Sequence, residues 1–199
     1  VREGQMNEGK TSTEMGMKGI PVEAESIIVA RDLTMLEYTG GKLHLGPIST
    51  ALSVDLIRKA KRKGLKVSSE VTAHNIYFTD KELGEFDSNF KLMPPLRDEK
   101  NRKALLKGLK DGTIDALVSD HKPQDIDEKR LEFGSSSFGA IGLETLFPVG
   151  LAAIDDLELC IASITSGPRR VMDMDIPVIE EGAIADLTLF DPDKSRSEE

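Results

Sequence analysis

A chain of 199 residues, 39% apolar and 31% charged, suits one domain, or one domain plus a fragment of another, and can bury a packed core, which excludes wholesale disorder. Its 35 acidic against 26 basic residues give a net charge of −9, which excludes a general nucleic-acid role and leaves no polybasic signal for an acidic membrane surface. There is no run of about 18 apolar residues and no signal-peptide pattern, and the single cysteine, Cys160, has no partner for an internal disulfide, so a reducing cytoplasm is the expected location. The first residue is Val1 rather than methionine, as expected of a processed or truncated chain.

The opening stretch, as far as Ile20, is Gly-rich and polar and reads as loop. Pro21 then starts a helix predicted to run to about Tyr38, with "TGG" as its stop. "KLHL" reads as a short strand. Thr50 is the N-cap candidate for a helix that stops at Gly64, and Val54, Ile57 and Ala60 share its apolar face. "LKVSSEVT" is the next strand. "DSNFKLMPPLR" reads as a short strand with a proline stop. "DEKNRKALLKGLKDG" is a helix with acids at its start and Gly112 past its end. "IDALVS" is a buried strand, followed by a long loop from about His121 to Ser137. "GLETLFPVGLAAI" and "LELCIASITSGPRRVMD" both read as helical. In the tail, Ala183, Ala185, Leu187 and Leu189 alternate at period two, which predicts a half-buried strand. The end, "DKSRSEE", is a charged run.

Strands therefore alternate with helices four times, the order of parallel βα units, so an α/β fold is expected. Chemistry in such folds gathers just beyond the carboxyl ends of the strands. Three places qualify: after Leu45, after Val71 and after Ser119. His74 lies past the second, as a polar loop residue or as a metal ligand through a ring nitrogen. Asp120 lies past the third, either capping a turn or binding a metal and taking a proton from bound water. For His121 the favoured reading is packing, and the same holds for His44, inside its strand. Pro47 offers no ligand at the first place. Arg97 is an anion clamp, a solvated loop charge or a partner for nearby acids. Gly139 and Gly142 precede a helix, where free backbone N–H groups could meet a carboxylate.

Taken in order, "GQMNEGKTSTEMGMKGIPVEAESIIVARDL", "ISTALSVDLIRKAKRKGL", "PPLRDE", "SDHKPQD", "FGAIGLET" and "EEGAIADLTLFDPD" form a pattern that resembles the dihydroorotases of the cyclic amidohydrolase superfamily, in the class related to allantoinases and hydantoinases. The resemblance covers nearly the whole chain. It implies an α/β fold, a TIM-type (β/α)8 barrel, here as the last four βα units over residues 1–172, with residues 173–199 belonging to a small β-sandwich domain and tail. It implies reversible hydrolysis of dihydroorotate to N-carbamoyl-aspartate in pyrimidine biosynthesis, with zinc activating a water. By the same resemblance His74 and Asp120 are metal ligands, Asp120 is also the catalytic proton carrier, and the backbone at Phe138 and Gly139 contacts substrate.

The chain departs from that pattern at four places. Pro47 stands for a histidine, Asn75 for a second histidine, Met93 for a substrate-binding asparagine and Gln124 for a histidine that meets the substrate carboxylate. A zinc site wants three or four protein ligands, and two remain, so zinc is expected to be weak or absent and this chain alone inactive. The alternative is a non-catalytic homologue, a scaffold or activator for aspartate carbamoyltransferase. Four βα units leave sheet edges open, so a homodimer or pairing with a missing half is expected.

Overall fold

The computed structural model describes residues 3–194; Val1, Arg2 and most of the charged run at the end lie outside the described residues. The elements in chain order are β1 (Met6–Asn7), α1 (Lys10–Glu14), β2 (Gly19–Ile20), α2 (Glu23–Thr39), β3 (Leu43–Leu45), α3 (Ala51–Arg62), β4 (Val67–Thr72), α4 (Ala73–Tyr77), α5 (Glu99–Lys110), β5 (Ala116–Val118), α6 (Ile126–Lys129), α7 (Leu146–Ile154), α8 (Leu157–Ile164) and α9 (Ser166–Val171). β3, β4 and β5 form a parallel sheet in that order, with His44 opposite Ser68 and Val71 opposite Leu117. No described helix is long and apolar enough to cross a membrane.

Local chemistry sets the helices that flank this sheet. Thr50 caps α3, its hydroxyl accepting from Ser53 N at 3.2 Å. The Glu25 carboxylate accepts from the N–H groups of Ser49 and Thr50 at the same end, where a negative charge meets the positive pole of the helix. Lys59, Lys61 and Arg62 occupy the opposite pole, and Gly64, at φ +82°, ends the helix in a left-handed turn. Asp98 caps α5 through Asn101 N at 2.9 Å. Gly108 lets α5 approach its neighbours, since a Cβ there would lie 2.9 Å from Ile114 Cδ1 and 3.2 Å from Val54 Cγ1.

Leu45, Val67, Val71 and Leu117 on the sheet pack with Val54, Ile57, Leu105 and Leu109 on the helices into one core, with Ile154 and Cys160 beyond. Burying each of the larger side chains stabilises the fold by about 1.5–3 kcal/mol. His44 does not join this packing. It is half-exposed, with Nδ1 2.8 Å from Ser68 Oγ and Nε2 3.3 Å from Glu70 Oε2.

Several expected elements differ: the stretch 121–137, read as loop, holds the short helix α6, and the helix read from Leu157 is split into α8 and α9. The opening stretch is not plain loop, because β1 and β2 pair in parallel and Met6 packs with Leu83 and Phe133. The stretch 87–97 is not a strand but a 3-10 turn, Ser88–Phe90, followed by irregular chain. Pro94 and Pro95 have no N–H for a ladder, and the Lys91 side chain is drawn inward instead of standing off a sheet. The described parallel sheet therefore has three strands where four were expected. The alternating tail also forms no strand, with Ile184 at 91% and Leu189 at 100% exposure. Alternation makes a strand only when a neighbour takes the backbone hydrogen bonds, and no described strand lies beside this one.

Candidate functional site

β4 and β5 run side by side in the same direction, so the residues just beyond them meet. Thr72 closes β4 and caps α4, accepting from Asn75 N at 3.0 Å, which turns the chain sharply and buries His74 on the first turn of α4. Asp120, two residues beyond β5, has φ +47°, a left-handed conformation that aspartate tolerates better than most residues. The parallel pairing thereby places His74 and Asp120 at the same end of the sheet, near enough for the Asp120 charge to act on the imidazole. Burial pushes the His74 imidazole below its usual pKa, against the opposing pull of the Asp120 charge and of the Ser119 backbone. The ring is neutral near pH 7, and its Nε2 is buried with no hydrogen-bond partner.

A third segment closes on this pair. A Cβ at Gly142 would lie 2.8 Å from His74 Nε2 and 2.4 Å from the Ser119 carbonyl oxygen, so only glycine lets the chain lie there. Beside it opens a cavity of about 410 Å³ with His74, Gln124, Lys129 and Gly139 on its wall and Phe78, Phe90 and Ile141 among its apolar residues. Phe138 stands back from this wall, its ring 4.8 Å from Lys91 Nζ.

Other candidates do structural work. His121 Nδ1 accepts from the N–H groups of Gly142 and Leu143 at 3.2 and 3.3 Å, so it holds a turn instead of packing into the core. Arg97 is the partner of polar groups within the fold: Nε donates to Ser49 Oγ at 3.1 Å and Nη1 to Asn7 Oδ1 at 3.0 Å, with Glu25 and Asp80 among the nearby charges. Asn75 receives from Thr72 Oγ1 at 2.6 Å and donates to the Pro95 carbonyl at 2.9 Å. Lys91 and Lys129 carry the same region and were not singled out from the sequence. The one signal for Lys91 was its position between Phe90 and Leu92.

The donor set decides what a metal would find. His74 Nε2 is a free imidazole nitrogen, as a zinc ligand must be. Asp120 is already engaged by Lys122 Nζ at 2.7 Å. Among the described residues no three His, Cys, Asp or Glu side chains converge. These residues therefore do not by themselves fit a complete zinc centre.

Residues 18–198 match the Amidohydrolase family. The chain belongs to the amidohydrolase family. It is 42% identical to a dihydroorotase of Ruminiclostridium cellulolyticum over 96% of its own length and 46% of that protein, and 41% identical to a dihydroorotase of Desulforapulum autotrophicum over 98% and 46%. It thus spans about half the length of the curated relatives it matches. Among solved structures, this amidohydrolase chain superposes on the L-hydantoinase (dihydropyrimidinase) of Arthrobacter aurescens with TM-score 0.72 at 25% identity, covering 77% of this chain and 36% of that one. The dihydropyrimidinase of Brevibacillus agri gives TM-score 0.73 at 22% identity, over 83% and 39%. Over the matched part, this mixed α/β chain shares the amidohydrolase fold of these two structures.

Proposed function

We propose that this chain is the carboxyl-side half of a dihydroorotase-type amidohydrolase barrel, and that the whole protein opens the ring amide of dihydroorotate reversibly to N-carbamoyl-aspartate. The observation that carries the reading is His74 and Asp120 meeting beyond the adjacent parallel strands β4 and β5, in a chain about 40% identical to dihydroorotases along nearly all its length. In this reading β3 to β5 belong to the second half of a TIM-type barrel, and residues from 173 onward to the small β-domain. His74 and Asp120 contribute two ligands to a zinc site whose other donors come from outside the described residues. Asp120 carries the proton, and the backbone at Phe138 and Gly139 faces the substrate. A cytoplasmic place in pyrimidine biosynthesis belongs to the same proposal.

β3 and β5 each have one neighbour in the described sheet, which supports association through those edges with a second copy or with the rest of a barrel. The test is zinc content and dihydroorotate turnover. The chain of these residues alone is expected to bind zinc below stoichiometry and not to turn over. A protein of the relatives' full length is expected to do both. Full zinc loading with turnover by these residues alone overturns the donor count; absence of turnover in the full-length protein overturns the enzyme reading.

A second reading is favoured by Asp120 engaged with Lys122 and Asn75 engaged with Thr72 and Pro95. It is a non-catalytic homologue that serves as scaffold or activator for aspartate carbamoyltransferase. Co-elution with that enzyme, together with a change in its rate, checks it.

A further inference from the structure

We propose that Lys91 and Lys129 are positioning residues that hold the loop of residues 133–142 across His74. Resting on the site reading above, this names what sets the shape of that site. Lys91 is fully buried, at 1% exposure, without a carboxylate partner. Its Nζ donates to the carbonyls of Phe133 at 2.5 Å, Gly134 at 3.3 Å and Ser136 at 2.6 Å. Its charge also lies over the rings of Phe133 and Phe138, at 5.2 and 4.8 Å. Its own carbonyl receives the Gly139 N–H at 3.0 Å.

Lys129 repeats the arrangement from the other side. Its Nζ donates to Ser88 at 2.5 Å, Ser137 at 3.1 Å and Gly139 at 2.9 Å, again all carbonyls. An ammonium has three N–H donors, so each lysine spends its full capacity, and five of the six acceptors lie between Phe133 and Gly139. Ser88 Oγ returns a bond to the Lys129 carbonyl, which ties the 3-10 turn to the same strap.

The far end of the loop is fixed separately. His121 pairs with Ala140 and holds Gly142 and Leu143, and Gly142 then lies against His74 Nε2. Between the two anchors the backbone of Gly139 to Ile141 forms a wall of the cavity. Lys129 turns the Ser137 and Gly139 carbonyls onto itself, and Lys91 does the same with those of Phe133, Gly134 and Ser136. Without a cation these oxygens would have to find water or another donor, and the loop would lift off the imidazole. Lys129 lines the cavity but has no N–H left for a ligand, so its part is to shape the wall.

The test reads chemical access to His74 and does not depend on turnover, so it can fail while the dihydroorotase reading stands. Diethyl pyrocarbonate is the probe, with the half-exposed His44 as internal reference and peptide mass spectrometry as detector. In the parent chain His74, at 8% exposure, is expected to react much more slowly than His44. In Lys129→Met the His74 rate is expected to rise about tenfold relative to His44, as local opening of the loop would give. Lys129→Cys treated with 2-bromoethylamine, which rebuilds an ammonium of nearly the original length, restores slow reaction, while amide exchange in α3 and α5 stays at the parent rate throughout. The exposed Lys81→Met serves as control. Should Lys129→Met not fold, Lys129→Gln takes its place. An unchanged His74 rate, an equal rise in the control, or a rise that the rebuilt ammonium does not reverse overturns the proposal.

Discussion

Lys122 Nζ stands 2.7 Å from Asp120 Oδ1, and it is the only positive charge paired with that carboxylate among the described residues. The Asp120 side chain is 14% exposed and that of Lys122 is 51% exposed, so a half-solvated ammonium already occupies one oxygen of a mostly buried carboxylate. Replacing Lys122 by Met removes this competitor without touching His74. The expected outcome is tighter zinc binding by Lys122→Met than by the parent, read by competition with a chromophoric chelator. An unchanged affinity would show that Lys122 does not compete with a metal for Asp120.

Gly142 is the tightest point of the site. A methyl group there meets the Ser119 carbonyl, which is backbone and cannot swing aside, as well as His74 Nε2. Gly142→Ala is expected to cost about 1–3 kcal/mol, the usual range for overpacking. The urea midpoint measures it. Gly84→Ala, where nothing lies within 4 Å of the added carbon and φ is not positive, is the control for added bulk.

Arg97 is 3% exposed and ties the β1–β2 pair to the start of α3. Its Nη1 also reaches the Ile20 carbonyl at 2.5 Å. Arg97→Met keeps much of the volume but strands Asn7 Oδ1, takes one of two donors from the Ile20 carbonyl, which keeps the Glu8 N–H, and removes the positive charge near Glu25. Loss of one member of such a buried network costs about 3–5 kcal/mol. Denaturant unfolding is expected to show that loss, and a change below about 1 kcal/mol would mean that these acceptors find other donors.

Glu99 gives a pH signature. The two bonds from Arg102, both 2.7 Å, hold its carboxyl down to about 2. A carboxylate with a depressed folded pKa binds fewer protons folded than unfolded. Its stabilisation is therefore present above about 4.5 and is lost as pH falls from there through about 2. The Glu99 side chain is 43% exposed, so solvent screening limits the effect to about 0.3–0.5 kcal/mol. Thermal midpoints of the parent and Glu99→Gln are expected to differ at pH 6 and to converge near pH 2.

Much of the fold was legible along the chain. Pro21, Gly40, Thr50, Gly64, Asp98 and Gly112 mark the ends of α2, α3 and α5 because caps and stops act through neighbours a few residues away. β5 was legible as a short apolar run, and β3 and β4 as short stretches of β-branched or alternating residues set between the stops of α2, α3 and α5. Residues 87–97 were misread as a strand because the destination of Lys91 depends on carbonyls more than 40 positions later. The tail shows the same limit, since alternation records a preference for a sheet and supplies no partner.

At the site, the sequence by itself determined the residue types and their places: an imidazole at 74 and a carboxylate at 120, each two positions beyond a strand end, with Pro47 and Asn75 where other donors were expected. Only the tertiary structure decided which of these groups is free. It leaves His74 Nε2 buried and unpaired, gives Asp120 to Lys122, ties Asn75 to Thr72 and Pro95, and assigns two lysines to loop carbonyls. The reason is that a strand end is fixed by local sequence, whereas the partner of a buried polar group is whichever donor or acceptor the folded chain brings within about 3 Å of it.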